Sequence, residues 1–171
     1  MTRKLLITGR PRSGKTTLIK RIVHKLALPA GGFYTAEIRE RGQRVGFKII
    51  TLEDEEAVFA HVNFKTSERL GKYGLDLSAL ETVGLDAVRE ALRARRLVVL
   101  DEIGPMELRS ATFRKVVRDA FDSRVPILAT VTARPFPFTN ALKRHRGVTL
   151  IEVRRGNREQ LVSELADQFS L

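Results

Sequence analysis

The 171-residue chain has no cysteine and no tryptophan, two methionines, two tyrosines and an aromatic content of 6%. Without cysteine there is no disulfide and no thiolate metal site. The three histidines, His24, His61 and His145, stand far apart in sequence, which argues against a histidine-built metal centre. No stretch approaches the roughly 20 consecutive apolar residues of a membrane span, so no membrane partner is expected. The opening "MTRKLLITGR" runs straight into an apolar strand pattern; no secretory leader is expected, and the cytoplasm is the expected location. Internal repeats, low-complexity segments and interdomain linkers are also lacking. Residues 1–171 are therefore expected to form one domain. Asparagine, glutamine and methionine are scarce and arginine is plentiful, a bias shared with heat-adapted proteins.

What is present is positive charge. Lys and Arg number 31 against 20 Asp and Glu, a net charge of +11. Such a balance attracts nucleic acid or polyphosphate. It is equally the mark of an arginine-rich solvated surface, and the basic residues are spread through "RERGQR", "RARR", "KRHR" and "RRGNR" rather than gathered in one block. Hydrophobic residues at 43% and charged residues at 30% suit a globular protein with a real core.

Apolar runs and helical periods alternate along the chain. Lys4–Thr8 reads as a short buried strand, and Gly14–Leu26 as a helix with Leu18, Ile19, Ile22, Val23 and Leu26 on one face. "LPAGG" breaks it. "FYTAEIRE" and "VGFKIITL" flank the turn "RGQR" and predict a hairpin; "EAVFAHV" predicts a further strand. The β-rich extension is expected over about 31–62, followed by a loop or flap in "NFKTSERLGKYGLD". Ser78 and Glu81 have capping-box spacing at the head of a helix reaching Arg95. "LVVLDEIG", "VPILATVT" and "VTLIEV" predict strands. Between and after them, Ser110–Asp122, "FTNALKRH" and the stretch from Asn157 predict helices. Helices interleaved with buried strands predict an α/β fold, a mainly parallel sheet covered on both faces, with a β-hairpin extension.

Two motifs sit where such strands end, the usual place for ligands. Gly9-Arg10-Pro11-Arg12-Ser13-Gly14-Lys15-Thr16 fits G-x-x-x-x-G-K-[ST] between an apolar strand and an amphipathic helix. This is the phosphate loop. Backbone N–H groups and the helix dipole cradle phosphate, Lys15 reaches the β- and γ-phosphates, and the Thr16 hydroxyl completes a Mg²⁺ shell. Gly14 lets the backbone approach phosphate closely, and Thr17 adds a hydroxyl toward the α-phosphate. Arg10 and Arg12 either touch phosphate or point to water.

The second motif is the carboxylate pair closing "LVVLDEIG". Asp101 would hold the metal or its water opposite Thr16. Glu102 would orient or deprotonate a water attacking the γ-phosphorus. Arg12, Arg109 and Arg134 are candidates for a positive group on the γ-phosphate. Thr130 and Thr132 either sense that phosphate or are structural strand residues. Phosphoryl transfer to a nucleotide or nucleoside, a nucleic-acid-stimulated ATPase, and a switch that hydrolyses incidentally are the rival readings.

With both motifs in place the chain resembles the thermostable P-loop nucleoside triphosphatase family. "VVLDEIGPMEL", Val98–Leu108, matches that family's Asp-Glu-Ile-Gly-Pro-Met-Glu segment, and "GGFYTAEIRERGQRVGF" and "GKYGLDLSALE" are similar to further segments. The resemblance implies a RecA-like P-loop fold. It implies slow, Mg²⁺-dependent hydrolysis of ATP, GTP, CTP and UTP to diphosphate and phosphate, with broad base tolerance. Gly9–Thr16 and Leu97, Val98, Val99, Leu100, Asp101, Glu102, Ile103 and Gly104 are implied to bind nucleotide. Asn157 and Arg158 resemble the family's late Asn-Arg pair near the base; the alternative for Asn157 is a helix cap. The family's loop resembles G-P-P-G-x-G-K-T, whereas this chain has Arg10 and Arg12 in place of its first proline and second glycine. Arg12 must then keep ordinary backbone angles or bear strain.

Overall fold

A computed structural model of the chain describes residues 3–170. Lys4–Thr8 forms β1, and Lys15–Leu26 forms α1. Ala30–Glu40 (β2) and Gln43–Thr51 (β3) make the expected hairpin, and Glu56–His61 is β4. Arg41 and Gly42 join the hairpin, both with positive φ (49° and 78°), the two-residue turn whose twist suits the flanking strands. Arg69–Leu70 (β5) and Tyr73–Leu75 (β6) follow. Further strands are Leu97–Ile103 (β7), Ile127–Val131 (β8) and Val148–Glu152 (β9).

The expected flap is thus a small hairpin. β6 pairs antiparallel with β4, placing Leu75 opposite Ala60, and β5 pairs with β6. Strands of two and three residues are too short to show a period in sequence. The antiparallel extension consequently runs on to Leu75, beyond the expected limit near residue 62.

The helical segment after it begins with Leu77–Ala79 (α2), passes through a π-helical turn over Leu80–Gly84, and continues as α3, Leu85–Arg93. Its cap differs from expectation. Asp76 Oδ1 accepts the Ala79 N–H at 3.1 Å. The Ser78 carbonyl accepts the Thr82 hydroxyl at 2.7 Å, and Glu81 accepts the Ser110 hydroxyl at 2.6 Å. Asp76 lies before the first helical residue and reaches the orphan N–H group of the first turn; Ser78 is already inside the helix. Ala111–Asp122 (α4) is capped by Ser110, whose hydroxyl accepts the Phe113 N–H at 3.0 Å. Pro137–Lys143 (α5) and Arg158–Phe169 (α6) complete the described helices.

The described strands form one sheet in the order β5-β6-β4-β3-β2-β7-β8-β1-β9. From β2 to β9 all neighbours are parallel; from β2 to β5 they are antiparallel. β2 serves both halves: Ala30–Phe33 pairs with β7, and Phe33–Glu40 pairs with β3. Successive strand residues face opposite sides of a sheet. Leu6, Val98 and Leu100 therefore enter a core against α3 and α4, while Leu5, Ile7, Leu97 and Val99 enter a second core against α1 and α6. A third, smaller cluster gathers Tyr73 and Leu75 with Phe47, Leu70 and Met106.

Candidate active site

β8 lies between β1 and β7. The loop leaving β1 and the carboxylates ending β7 therefore face each other across one strand. In the candidate phosphate loop the Ser13 N–H donates to the Arg10 carbonyl at 3.1 Å, and α1 starts at Lys15. Arg12 takes the left-handed conformation, φ 63°, and Gly14 follows at φ 93°. A left-handed non-glycine residue costs about 1–2 kcal/mol. Arg12 thus bears the strain that the missing glycine would have relieved.

Lys15 Nζ donates to the Gly9 carbonyl at 2.9 Å and stands 3.7 Å from Glu102 Oε2. The Thr16 hydroxyl donates to Asp101 Oδ2 at 2.9 Å. Asp101 Oδ1 accepts the Thr130 hydroxyl at 2.6 Å. The peptide bond between Asp101 and Glu102 is cis. Asp101 is wholly buried. Burial pushes its carboxyl upward, while hydrogen bonds from Thr130, Thr16 and the Thr35 backbone, and the charge of Lys15, oppose that shift. Burial likewise raises Glu102, against the pull of Lys15.

The sequence reading missed Glu107. It is 7% exposed on the turn that follows β7. Burial, and then the charge of Glu102, push its carboxyl up to about 8. Glu102 and Glu107 converge over Gly104: a Cβ there would lie 2.5 Å from Glu102 Oε1 and 3.1 Å from Glu107 Oε2. The only sequence signal was a carboxylate shortly after "GP", a turn able to reverse the chain toward the strand end.

These groups open onto a cleft of about 540 Å³ lined by Pro11–Thr17, Glu102 and Glu107. The donor set fits Mg²⁺, which needs few protein oxygens because it keeps waters and phosphate oxygens as its other ligands. Thr16 and Asp101 supply a hydroxyl and a carboxylate at one point. No cluster of three or more His, Cys, Asp or Glu side chains suited to a metal occurs among the described residues.

The other expected residues fall differently. Leu97, Val98, Val99, Leu100 and Ile103 are buried in the sheet, with their side chains in the two cores. Asn157 makes no side-chain cap on α6. Its Oδ1 accepts the Arg154 N–H at 2.9 Å, and its Nδ2 donates to the Glu152 carbonyl at 3.0 Å, so it ties the loop leaving β9. Arg158 folds over Gly14, where an added Cβ would overlap its guanidinium. Gly14 therefore makes room for a protein side chain. Of the three arginine candidates, Arg12 lines the cleft. Arg109 stands 4.0 Å from Glu68, and Arg134 covers the Phe136 ring. The Thr132 hydroxyl accepts the Arg134 N–H at 3.2 Å, which assigns it to the following loop.

A family model described as NTPase matches residues 4–166. The chain belongs to this NTPase family. Nucleoside-triphosphatase THEP1 of Thermotoga petrophila is 46% identical over 162 residues, covering 95% of this chain and 90% of the relative. The THEP1 of Aquifex aeolicus is 38% identical, covering 95% and 96%. The crystal structure of Aquifex aeolicus THEP1 superimposes with a TM-score of 0.89 at 35% identity, covering 98% of this chain and 99% of that one. The solution structure of a human cancer-related nucleoside triphosphatase gives 0.84 at 30% identity, covering 98% and 97%. The expected family and the mainly parallel P-loop fold are borne out. No helix among the described residues is long and apolar enough to cross a membrane.

Proposed function

We propose that this member of the nucleoside-triphosphatase family hydrolyses ATP, GTP, CTP and UTP to the diphosphate and phosphate with Mg²⁺. One observation carries the reading: Lys15 stands 3.7 Å from Glu102 while Thr16 is bonded to Asp101. A phosphate-binding lysine and a strand-end carboxylate share one point, beside a hydroxyl–carboxylate pair suited to the ion.

The backbone N–H groups of the loop and the start of α1 bind the phosphate oxygens. Lys15 exchanges the Gly9 carbonyl and Glu102 for the β- and γ-phosphates. Glu102, released from that contact, orients a water on the γ-phosphorus and takes its proton. Asp101 is held in place by Thr130, and Thr16 and Asp101 would hold the ion. Mg²⁺, when bound, neutralises charge on the β- and γ-phosphate oxygens. These groups address the phosphates, the ion and the water, and none addresses a base, which supports broad tolerance among the four triphosphates.

Phosphate release from each triphosphate, with and without Mg²⁺, tests the reading. Release with all four, abolished by chelation, is the expected result. Glu102→Gln should keep nucleotide binding and slow turnover by about 10²–10⁴-fold. Parental turnover in that variant removes Glu102 from the water-activating role.

A further inference from the structure

Beside the bound triphosphate, hydrolysis needs room for one attacking water only. The cleft of about 540 Å³ is lined not only by the phosphate loop and Glu102 but also by residues of the antiparallel extension and of the turn after β7. Phe47, Leu70 and Met106 form an apolar patch there, all three partly exposed. The patch is braced. Phe47 packs edge-on against Tyr73 at 5.4 Å, and Arg44 lies over both rings. Arg44 is itself fixed by Glu37 at 3.1 Å and the Tyr73 hydroxyl at 3.0 Å. Glu102 and the buried Glu107, which has no part in the hydrolytic step, line the same cleft.

An apolar wall carrying an aromatic ring and two carboxyl groups, all lining one cleft, match one class of compound. Aromatic side chains receive a planar heterocycle, and carboxylates accept from ribose hydroxyls. We propose that the γ-phosphate side of the cleft is a subsite for a nucleoside, whose hydroxyl accepts the phosphoryl group in place of water. The base lies against Phe47 and Leu70, and the ribose lies at Glu107 and Glu102. This rests on the assignment of Lys15 and Glu102 to the γ-phosphate. The 5′-hydroxyl oxygen attacks the γ-phosphorus and its proton passes to Glu102. The bond from the γ-phosphorus to the bridging oxygen breaks, and its electron pair leaves with the nucleoside diphosphate. The products are that diphosphate and a nucleoside monophosphate.

The test is incubation with γ-labelled ATP and Mg²⁺, with adenosine, guanosine, cytidine or uridine in turn, and separation of labelled products. A labelled nucleoside monophosphate from at least one acceptor is expected. Phe47→Ala on the apolar wall and Glu107→Gln among the carboxyl groups should each lower the ratio of transfer to phosphate release at least tenfold. Labelled phosphate as the sole product with all four nucleosides overturns the subsite while leaving hydrolysis intact. Transfer whose ratio to hydrolysis is unchanged in a folded variant of either residue overturns its location. Neither product overturns the hydrolase reading as well.

Discussion

The parallel and antiparallel halves of the sheet are built on different terms. In the parallel half, β1, β7 and β8 are apolar toward both faces, and Asp101 at the end of β7 is fully buried with each carboxylate oxygen bonded to a threonine. In the antiparallel half, burial is partial and the charges are paired at the surface. Glu37 meets Arg39 and Arg44, and Lys48 meets Glu56. A group held in the first half sits among fixed partners in a low-dielectric setting, where its loss is expensive. A pair in the second half is screened by water. The candidate catalytic carboxylates end a strand of the parallel half, and residues of the antiparallel half line the same cleft.

Substitutions probe that contrast. Lys15→Ala in the parallel half should abolish nucleotide binding and lower turnover on the order of 10³-fold or more; calorimetric titration and phosphate release read both. Binding at parental affinity in that variant would remove the difference between the halves.

Glu107 gives the contrast a pH dependence. Its carboxyl rises from the ordinary 4.5 to about 8 on folding. The protonated folded form is therefore favoured. The stability it contributes is complete below pH 4.5 and is lost as pH climbs through about 8. Glu107→Gln, which cannot ionise, should flatten the fall in melting temperature across that window. A parallel fall in both proteins would place the titration elsewhere.

Arg12→Gly relieves a left-handed residue at the cost of extra freedom in the unfolded chain. The balance is a gain of about 0.5–1 kcal/mol, measured by denaturant unfolding. The smallest effect belongs to the antiparallel half. Lys48→Ala removes a solvated pair with Glu56 and should cost at most about 0.5 kcal/mol, less in high salt. A loss above 2 kcal/mol there would show that the second half is as tightly coupled as the first.

Much of the fold was legible because it is written in short-range patterns. β1, the phosphate loop, α1 and β7 each follow from a local period and a local motif. The β5–β6 hairpin was not legible, since two- and three-residue strands have no period and exist only because β4 offers an edge. The cap at Ser78 was misread because Asp76, two residues earlier, starts the helix. In the candidate site, Lys15, Thr16, Asp101 and Glu102 were legible from motif spacing. Glu107 was not, because its importance lies in the Gly104–Pro105 turn that folds it back beside Glu102.

By itself the sequence determined that a G-x-x-x-x-G-K-[ST] loop and a strand-end Asp-Glu pair exist, because backbone geometry ties those residue types to fixed local spacings. Only the tertiary structure decided what they meet. Placing β8 between β1 and β7 sets Thr130 against Asp101. Packing α6 beside α1 lays Arg158 over Gly14. Folding the extension across β2 brings Phe47 and Leu70 to the same cleft as Lys15. These meetings depend on strand order and on the packing of distant apolar faces, and no window of local sequence contains them.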